Sequence, residues 1–545
     1  MKRVIFGAVI VTLAATPWIN SDALIVPKII SIACLASFLI PNLIVNYKTF
    51  LADRKIILLL TLSFVFIIQM VVVMFISNAP FEQEFFGRTG RGLGFITYFS
   101  LIVIMLYTAI NINIINIPKI FQGLLLSCLL SSIYSIFQFY GVDFSDWRTQ
   151  TNGIIGTLGN PNFQSSFIAI SIVPTIVYLW PRKFRSLLIS GALIILIFTL
   201  YICESTQGYI ALASSSAVFI LLKLWFNKSK LIFVATLIPT ILTGFVAIAG
   251  MLDKGPLSYY LYKVSVRSRG EMWQTASSVI KSNPVFGVGL DSLGDYSLMY
   301  QNEKTANGIA EYIDNSHNFF LQFAATGGII LALCYLGIIL LTLYSFFITQ
   351  KSIGKFDRNI AALFAAWVSF QLQSLISPAV IPTLVWNFIF CGAFIGLSNS
   401  LKIGSGVSRE RTSAKTNVAT KKSMNGIGVI SVVLAFILTF PLFNADKLTR
   451  QADIKKDALL AVKAAKTYPE SVIRYNRLGA ALYESGFYDL SLDIARSAVK
   501  FNPNSYQTWI LILVNPSATI EERNKAKEQL MKIDPFNKNI QNYQF

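Results

Sequence analysis

Histidine occurs once in this 545-residue chain, at His317, inside Asn315-Ser316-His317-Asn318-Phe319-Phe320-Leu321-Gln322. An imidazole titrates nearest neutral pH, so it can move a proton or orient a hydroxyl, or simply bond a nearby carbonyl as a capping or interface residue. Two further motifs precede it: Ser268-Arg269-Gly270-Glu271-Met272-Trp273 and Pro284-Val285-Phe286-Gly287-Val288-Gly289-Leu290. All three share one polar stretch, 251–325, in a chain that otherwise reads as successive apolar runs. A second polar stretch reads Glu82-Gln83-Glu84-Phe85-Phe86-Gly87-Arg88-Thr89-Gly90-Arg91-Gly92. Arg88 and Arg91 offer forked donors to an anionic group, and glycine lets the backbone approach it; interfacial snorkelling suits the same residues. In Gly156-Thr157-Leu158-Gly159-Asn160-Pro161-Asn162-Phe163, Asn160-Pro161 starts a turn or helix, and Asn162 caps the next span or faces a cavity. Glu204, in Cys203-Glu204-Ser205-Thr206-Gln207-Gly208, is either solvated or part of a polar cavity.

The elements that must position these residues are membrane helices. Hydrophobic residues make up 54% of the chain and charged residues 13%, and the apolar residues fall in blocks of roughly 17–25, the length that crosses a hydrocarbon core. About thirteen spans are expected, over 4–19, 23–46, 56–77, 94–112, 118–140, 162–181, 186–203, 208–226, 231–251, 319–348, 359–376, 383–401 and 425–444. Alternate connections are basic, from Lys48, Arg54 and Lys55 through Arg182, Lys183 and Arg185 to Lys421 and Lys422. Cytoplasmic loops carry such an excess, so the N-terminus is expected inside. The stretches 78–92, 141–161 and 251–318, and everything after Asn444, are then expected outside. The formal charge of +19 is accounted for by these loops and does not argue for nucleic acid. The five cysteines lie in or at the ends of apolar spans and imply neither a disulfide framework nor a zinc site.

Residues 1–401 therefore read as a membrane domain, 402–424 as a basic cytoplasmic linker, 425–444 as a last span, and 445–545 as a soluble helical domain. In the last, Tyr475, Leu478, Gly479, Ala498 and Pro503 sit at tetratricopeptide offsets, and Trp509 lies 34 residues after Tyr475. Such an array binds or positions a partner, or is a passive appendage.

Taken together, the motifs around Asn160 and Asn162, Arg269 and Trp273, Gly287 and Gly289, and His317 and Asn318 resemble the O-antigen ligase superfamily, from about residue 75 to 400. That superfamily includes lipopolysaccharide O-antigen ligases, polysaccharide polymerases and protein O-oligosaccharyltransferases. The resemblance implies an all-α, GT-C type multi-pass protein of the cytoplasmic membrane. It implies metal-independent, inverting transfer of a glycan from undecaprenyl diphosphate to a hydroxyl of a lipid, protein or glycan, with no cofactor. Arg269 would clamp the diphosphate, His317 would act as base or orienting group, and Gly287 and Gly289 would shape the loop at the lipid head. Many relatives carry Ser-Arg-Gly where this chain has Thr206-Gln207-Gly208; Gln207 can donate a hydrogen bond but brings no charge. Arg88, Arg91 or Arg267 is expected to supply it. Repeat-unit polymerisation is the alternative within the superfamily. From other classes, a lipid-linked sugar transporter would show charges deep in several spans and an internal repeat, and a non-catalytic scaffold would tolerate loss of His317 and Arg269.

Overall fold

The computed structural model describes residues 1–51, 53–143, 145, 147, 153–180, 186–226, 230–252, 254–261, 264–303, 313–403 and 418–544. Among them every regular element is helical. Hydrocarbon demands this, because a helix satisfies its backbone polar groups within itself. Nine of these helices are long and apolar enough to cross a membrane: Ile25–Val45, Arg54–Ile76, Ile114–Phe139, Pro161–Leu179, Thr206–Phe226, Lys230–Met251, Phe319–Ile353, Ile381–Ser400 and Gly426–Lys455. The other four apolar runs form shorter helices, Lys2–Leu13, Phe95–Asn111, Ser186–Ile202 and Arg358–Ser374. The protein is an all-α polytopic membrane protein.

The bundle is organised around Ile381–Ile403, whose apolar window is buried throughout. Gly392 and Gly396, four residues apart, explain one side of its packing. A Cβ at Gly392 would stand 2.4 Å from the Met105 carbonyl oxygen, and one at Gly396 would stand 2.2 Å from that of Ala109. Two small residues at this spacing let the Phe95–Asn111 backbone lie directly against the central helix. On another side Trp386 donates its indole N–H to Thr12 Oγ1 at 3.0 Å, anchoring Lys2–Leu13.

The helix Phe319–Ile353 is broken at Gly328, where φ is 81°. The break frees backbone groups that the Pro284–Gly289 loop satisfies. Val288 N–H donates to the Ala325 carbonyl at 3.0 Å, Gly289 N–H to that of Thr326 at 3.1 Å, and Ile329 N–H to that of Pro284 at 2.8 Å. Gln69 reaches from the neighbouring span to donate to the carbonyls of Val285 (2.8 Å) and Gly327 (2.9 Å). Irregular backbone at this depth is tolerated because it is sealed inside protein.

The last span, expected over 425–444, is part of one helix, Val418–Lys455, that continues without interruption. Ala445, Thr449 and Ala452 form a buried stripe at helical spacing along the extension. Six helices follow: Ala458–Ala465, Val472–Glu484, Tyr488–Phe501, Tyr506–Val514, Ile520–Ile533 and Lys538–Gln541. Ser471, Ser505 and Thr519 cap three of them through their side chains. Two small cores hold them together, one with Tyr475, Leu478, Ile494 and Ala498, the other with Leu492, Trp509, Ile512 and Leu530. Leu298 and Met299 of the loop segment pack on the second core.

Candidate functional site

His317 is placed by the turn that starts the Phe319–Ile353 helix. Asn318 is the N-cap, its Oδ1 accepting from the N–H groups of Phe320 and Leu321, both at 3.1 Å, and its Nδ2 donates to the Leu375 carbonyl at 3.2 Å. One residue earlier the His317 N–H donates to Asn315 Oδ1 at 2.9 Å, and the Ser316 N–H donates to Gln322 Oε1 at 2.9 Å. These bonds hold His317 at φ 52°, a left-handed conformation that non-glycine residues rarely adopt. Its ring is half-buried, and Nδ1 has no hydrogen-bond partner. Burial first, and then the charges of Arg91 and Arg269 against the opposing Asp314, lower the imidazole pKa to about 4. At neutral pH the ring is therefore uncharged.

Arg269 comes from the helix Val264–Ser282, which packs on Phe319–Ile353 through Ala276, Val279 and Ala325. The i, i+4 and i+7 spacing of Arg269, Trp273 and Ala276 puts them on one face. Arg269 is buried with its Nε unpartnered, and burial depresses its pKa, although a guanidinium stays charged. Trp273 Nε1 and Asn315 Nδ2 are likewise buried and unpartnered. Glu271 Oε2 is a fifth such atom; buried polar atoms are nearly always paired, so five unpaired ones on the residues of these two motifs mark a place where a polar ligand is expected.

The two arginines of the first polar stretch part company. Arg91 forms a forked ion pair with Asp314, with contacts of 3.0, 2.9 and 2.7 Å, three residues before His317. Arg88, read from the sequence as a diphosphate ligand, is buried and donates to Asp295 Oδ1 at 2.6 Å. Asp295 also accepts from Gln83 at 2.8 Å and from Asn502 of the C-terminal domain at 3.0 Å. The nearby Asp291 accepts from the backbone N–H groups of Arg88 (2.8 Å) and Leu93 (3.2 Å), and burial raises its pKa to about 6. Glu84 accepts from the Leu290 N–H at 2.9 Å, and burial raises its pKa to about 7. Gly289 is required there, because a Cβ would stand 2.5 Å from Ala79 Cβ and 3.0 Å from Glu84 Oε1, at φ 109°. Gly287, at φ 65°, brings its backbone against residues 325–327 in the same way.

The remaining sequence candidates distribute as follows. Asn160, not Asn162, caps Pro161–Leu179, accepting from the Asn162 N–H at 2.8 Å; Asn162 Oδ1 instead accepts from Ser205 Oγ at 2.6 Å. That bond ties the Gly156–Phe163 motif to the Cys203–Gly208 hairpin. Glu204, a candidate cavity residue, sits at φ 49° in this hairpin with its side chain exposed, since the left-handed turn position points it out. Gln207 is buried with Oε1 unpartnered. Arg267 lies in the Val264–Ser282 helix, and its side chain falls outside the described residues.

Asp291, Asp295, Asp314 and Glu84 were not singled out by sequence reasoning. A signal existed for the first two, spaced i, i+4 immediately after the Gly287–Gly289 motif. Residues 164–336 match the family model described as O-antigen ligase. The matched segment includes Gln207, Arg269 and His317 and excludes Arg88 and Arg91. No curated protein matches the chain.

Proposed function

We propose, with the O-antigen ligase match of residues 164–336 as premise, that this protein is a membrane glycosyltransferase. In this reading it moves a glycan from undecaprenyl diphosphate to an acceptor hydroxyl at the outer face of the cytoplasmic membrane. The observation that carries the reading is the convergence of unpartnered Arg269 Nε and His317 Nδ1 with the Arg91 charge.

The diphosphate is already a good leaving group, so the protein must hold it and orient the acceptor. Arg269 holds the diphosphate, and Arg91 joins it by exchanging Asp314 for a phosphate oxygen. That exchange costs little because both partners are partly exposed, at 19% and 33%. Arg91 thereby supplies the charge that Gln207 lacks. The acceptor oxygen forms its bond to the anomeric carbon from the face opposite the phosphate, the carbon–phosphate-oxygen bond breaks, and the configuration inverts. The hydroxyl proton passes to His317. An imidazole with a pKa of about 4 is a weak base, but the incoming diphosphate neutralises the two arginines whose charges add to the larger effect of burial in depressing it. Donor binding thus raises the basicity of His317 where it is needed. The C-terminal helices act as a tetratricopeptide-like platform that positions the acceptor or a partner.

The test is transfer in proteoliposomes supplied with undecaprenyl-diphosphate glycan, comparing the unaltered protein with His317→Ala and Arg269→Ala at matched amounts. Product formation that requires both residues supports the reading; a single product size indicates ligation and a ladder indicates polymerisation. Equal behaviour of all three proteins would overturn it.

A further inference from the structure

A cavity of about 370 Å³ opens where the membrane bundle meets the C-terminal helices, and neither His317, Arg269 nor Arg91 lines it. Its volume falls within the range of small-molecule sites, about 300–1,000 Å³. Ile25 and Ile29, in the first turns of Ile25–Val45, and Leu442, near the end of the last span, give it an apolar side. Its charged lining is balanced: four arginines, Arg88, Arg450, Arg474 and Arg477, stand with four acids, Asp22, Glu82, Asp446 and Glu470.

Half of these charges are committed elsewhere. Arg88 is paired with Asp295 and Arg477 with Asp453. Asp22 accepts from the N–H groups of Ile25 (3.1 Å) and Gly90 (2.9 Å), and Asp446 accepts from the Asp22 N–H at 2.9 Å. The other four, Arg450, Arg474, Glu82 and Glu470, form no ion pair among the described residues. Arg474, only 6% exposed, donates through Nη2 to the carbonyls of Thr467 and Pro469, yet its Nε has no partner. Arg450 is half-buried, and its enclosed Nε is unpartnered as well. Glu470 accepts from the Tyr475 hydroxyl at 2.9 Å. Burial first, and then the charge of Glu470, raise the Glu82 pKa, so these two acids share one neighbourhood without a counter-ion. Charge removed from water without compensation is costly, and here both signs are left over in one cavity.

We propose that this cavity holds the headgroup of a zwitterionic phospholipid bearing a phosphodiester and a primary ammonium, the chemistry of phosphatidylethanolamine. The phosphodiester accepts from the unused guanidinium N–H groups of Arg450 and Arg474. The ammonium, with three N–H donors, takes Glu82 and Glu470 as its acceptors. The acyl chains run along Ile25, Ile29 and Leu442 into the bilayer. A lipid with a phosphate alone leaves the two acids uncompensated, and a quaternary ammonium has no N–H to donate. The four residues come from three parts of the chain: Glu82 from Phe81–Phe86, Arg450 from the extension of Val418–Lys455, and Glu470 and Arg474 from the start of Val472–Glu484. The headgroup therefore fastens the C-terminal helices to the bundle. Such a lipid is neither donor nor acceptor, so the inference stands apart from the transfer proposed above.

The experiment uses the full-length protein in phosphatidylcholine nanodiscs. The probe is phosphatidylethanolamine with a diazirine in one chain, and the controls are phosphatidylglycerol and phosphatidylcholine bearing the same chain; cross-links are mapped by mass spectrometry. Phosphatidylethanolamine should label peptides spanning 22–29 and 442–450 about tenfold more than either control. Glu82→Gln should bring its labelling down to the phosphatidylglycerol level, and Arg450→Gln to the phosphatidylcholine level. Both variants should melt like the unaltered protein in phosphatidylcholine alone, while added phosphatidylethanolamine should raise the melting temperature of the unaltered protein only. Inorganic phosphate and undecaprenyl phosphate, added as competitors, should leave the labelling unchanged, as should His317→Ala. Equal labelling by phosphatidylglycerol would make this an anion site. Competition by inorganic phosphate would make it a free-phosphate site, and competition by undecaprenyl phosphate a donor site. Each of these results overturns the proposal, as does labelling insensitive to both cavity variants, whether or not His317-dependent transfer is found.

Discussion

At His317 the lowered pKa and the missing partner make one testable statement about acid–base chemistry. In the free protein the ring is protonated only as pH falls toward about 4. A kcat/KM profile reports the free enzyme, so its acidic limb should lie near that value, while kcat, which reports the donor-bound complex, should fall at a higher pH. Arg91→Gln removes one of the two depressing charges and should raise the kcat/KM limb. Coincident limbs in kcat and kcat/KM, near the ordinary histidine value, would contradict this arrangement. The two loop arginines should also separate by readout. Arg91→Ala should lower turnover with little change in stability, since its ion pair is partly exposed. Arg88→Ala leaves Asp295 buried without its cation and should cost about 3–5 kcal/mol, seen as a lower denaturation midpoint. Arg91 beside His317 and Arg88 on Asp295 could not be told apart in the sequence. Each follows a glycine in the same short stretch, and Asp295 lies 207 positions from Arg88.

The broken helix is the element on which the site's geometry depends. A Cβ at Gly328 would stand 1.8 Å from the Val285 carbonyl oxygen, at φ 81°. Gly328→Ala should therefore expel the Pro284–Gly289 loop and abolish activity. Gly354, at φ 69° with nothing within 4 Å, is the internal control; Gly354→Ala should cost only the left-handed penalty of about 1–2 kcal/mol. Limited proteolysis of the 264–300 segment, alongside thermal unfolding, distinguishes the two. The spans themselves were legible, because length and apolarity are local properties: Arg54–Ile76 and Lys230–Met251 lie within two residues of their expected limits. The helix start at Asn160-Pro161 was legible for the same reason, although the cap is Asn160 where Asn162 was expected. The break at Gly328 was not read, although Thr326-Gly327-Gly328 marks a weak point in the apolar run, because the groups it frees are satisfied by Val288, Gly289 and Gln69, partners distant in sequence.

For the whole molecule, Asp295 joins three parts of the chain: Gln83 and Arg88 of the first loop, its own helix Leu293–Tyr300, and Asn502 of the C-terminal domain. Leu298 and Met299 bury themselves in that domain's core. Removing the chain after Lys455 should then expose both, lower turnover and increase cleavage within 264–300, while Asn502→Leu should do the same more mildly. Undiminished transfer by the truncated protein would show that the domain is only an appendage. The continuous helix Val418–Lys455 adds a constraint of another kind. At 1.5 Å per residue its 38 residues extend about 57 Å, and a hydrocarbon core takes up about 30 Å. The part beyond the span, from Ala445 to Lys455, carries the C-terminal helices as a stiff mast, and Thr89 to Ser471 and Ser21 to Arg477 tie those helices to the loops beside it. A helix that runs on from the membrane limits how far the domain can swing, so a partner held by it would be presented near one height above the lipid. Under the proposed function, a hydroxyl presented above or below that height would go unmodified, and the acceptor would be selected by altitude as well as by chemistry.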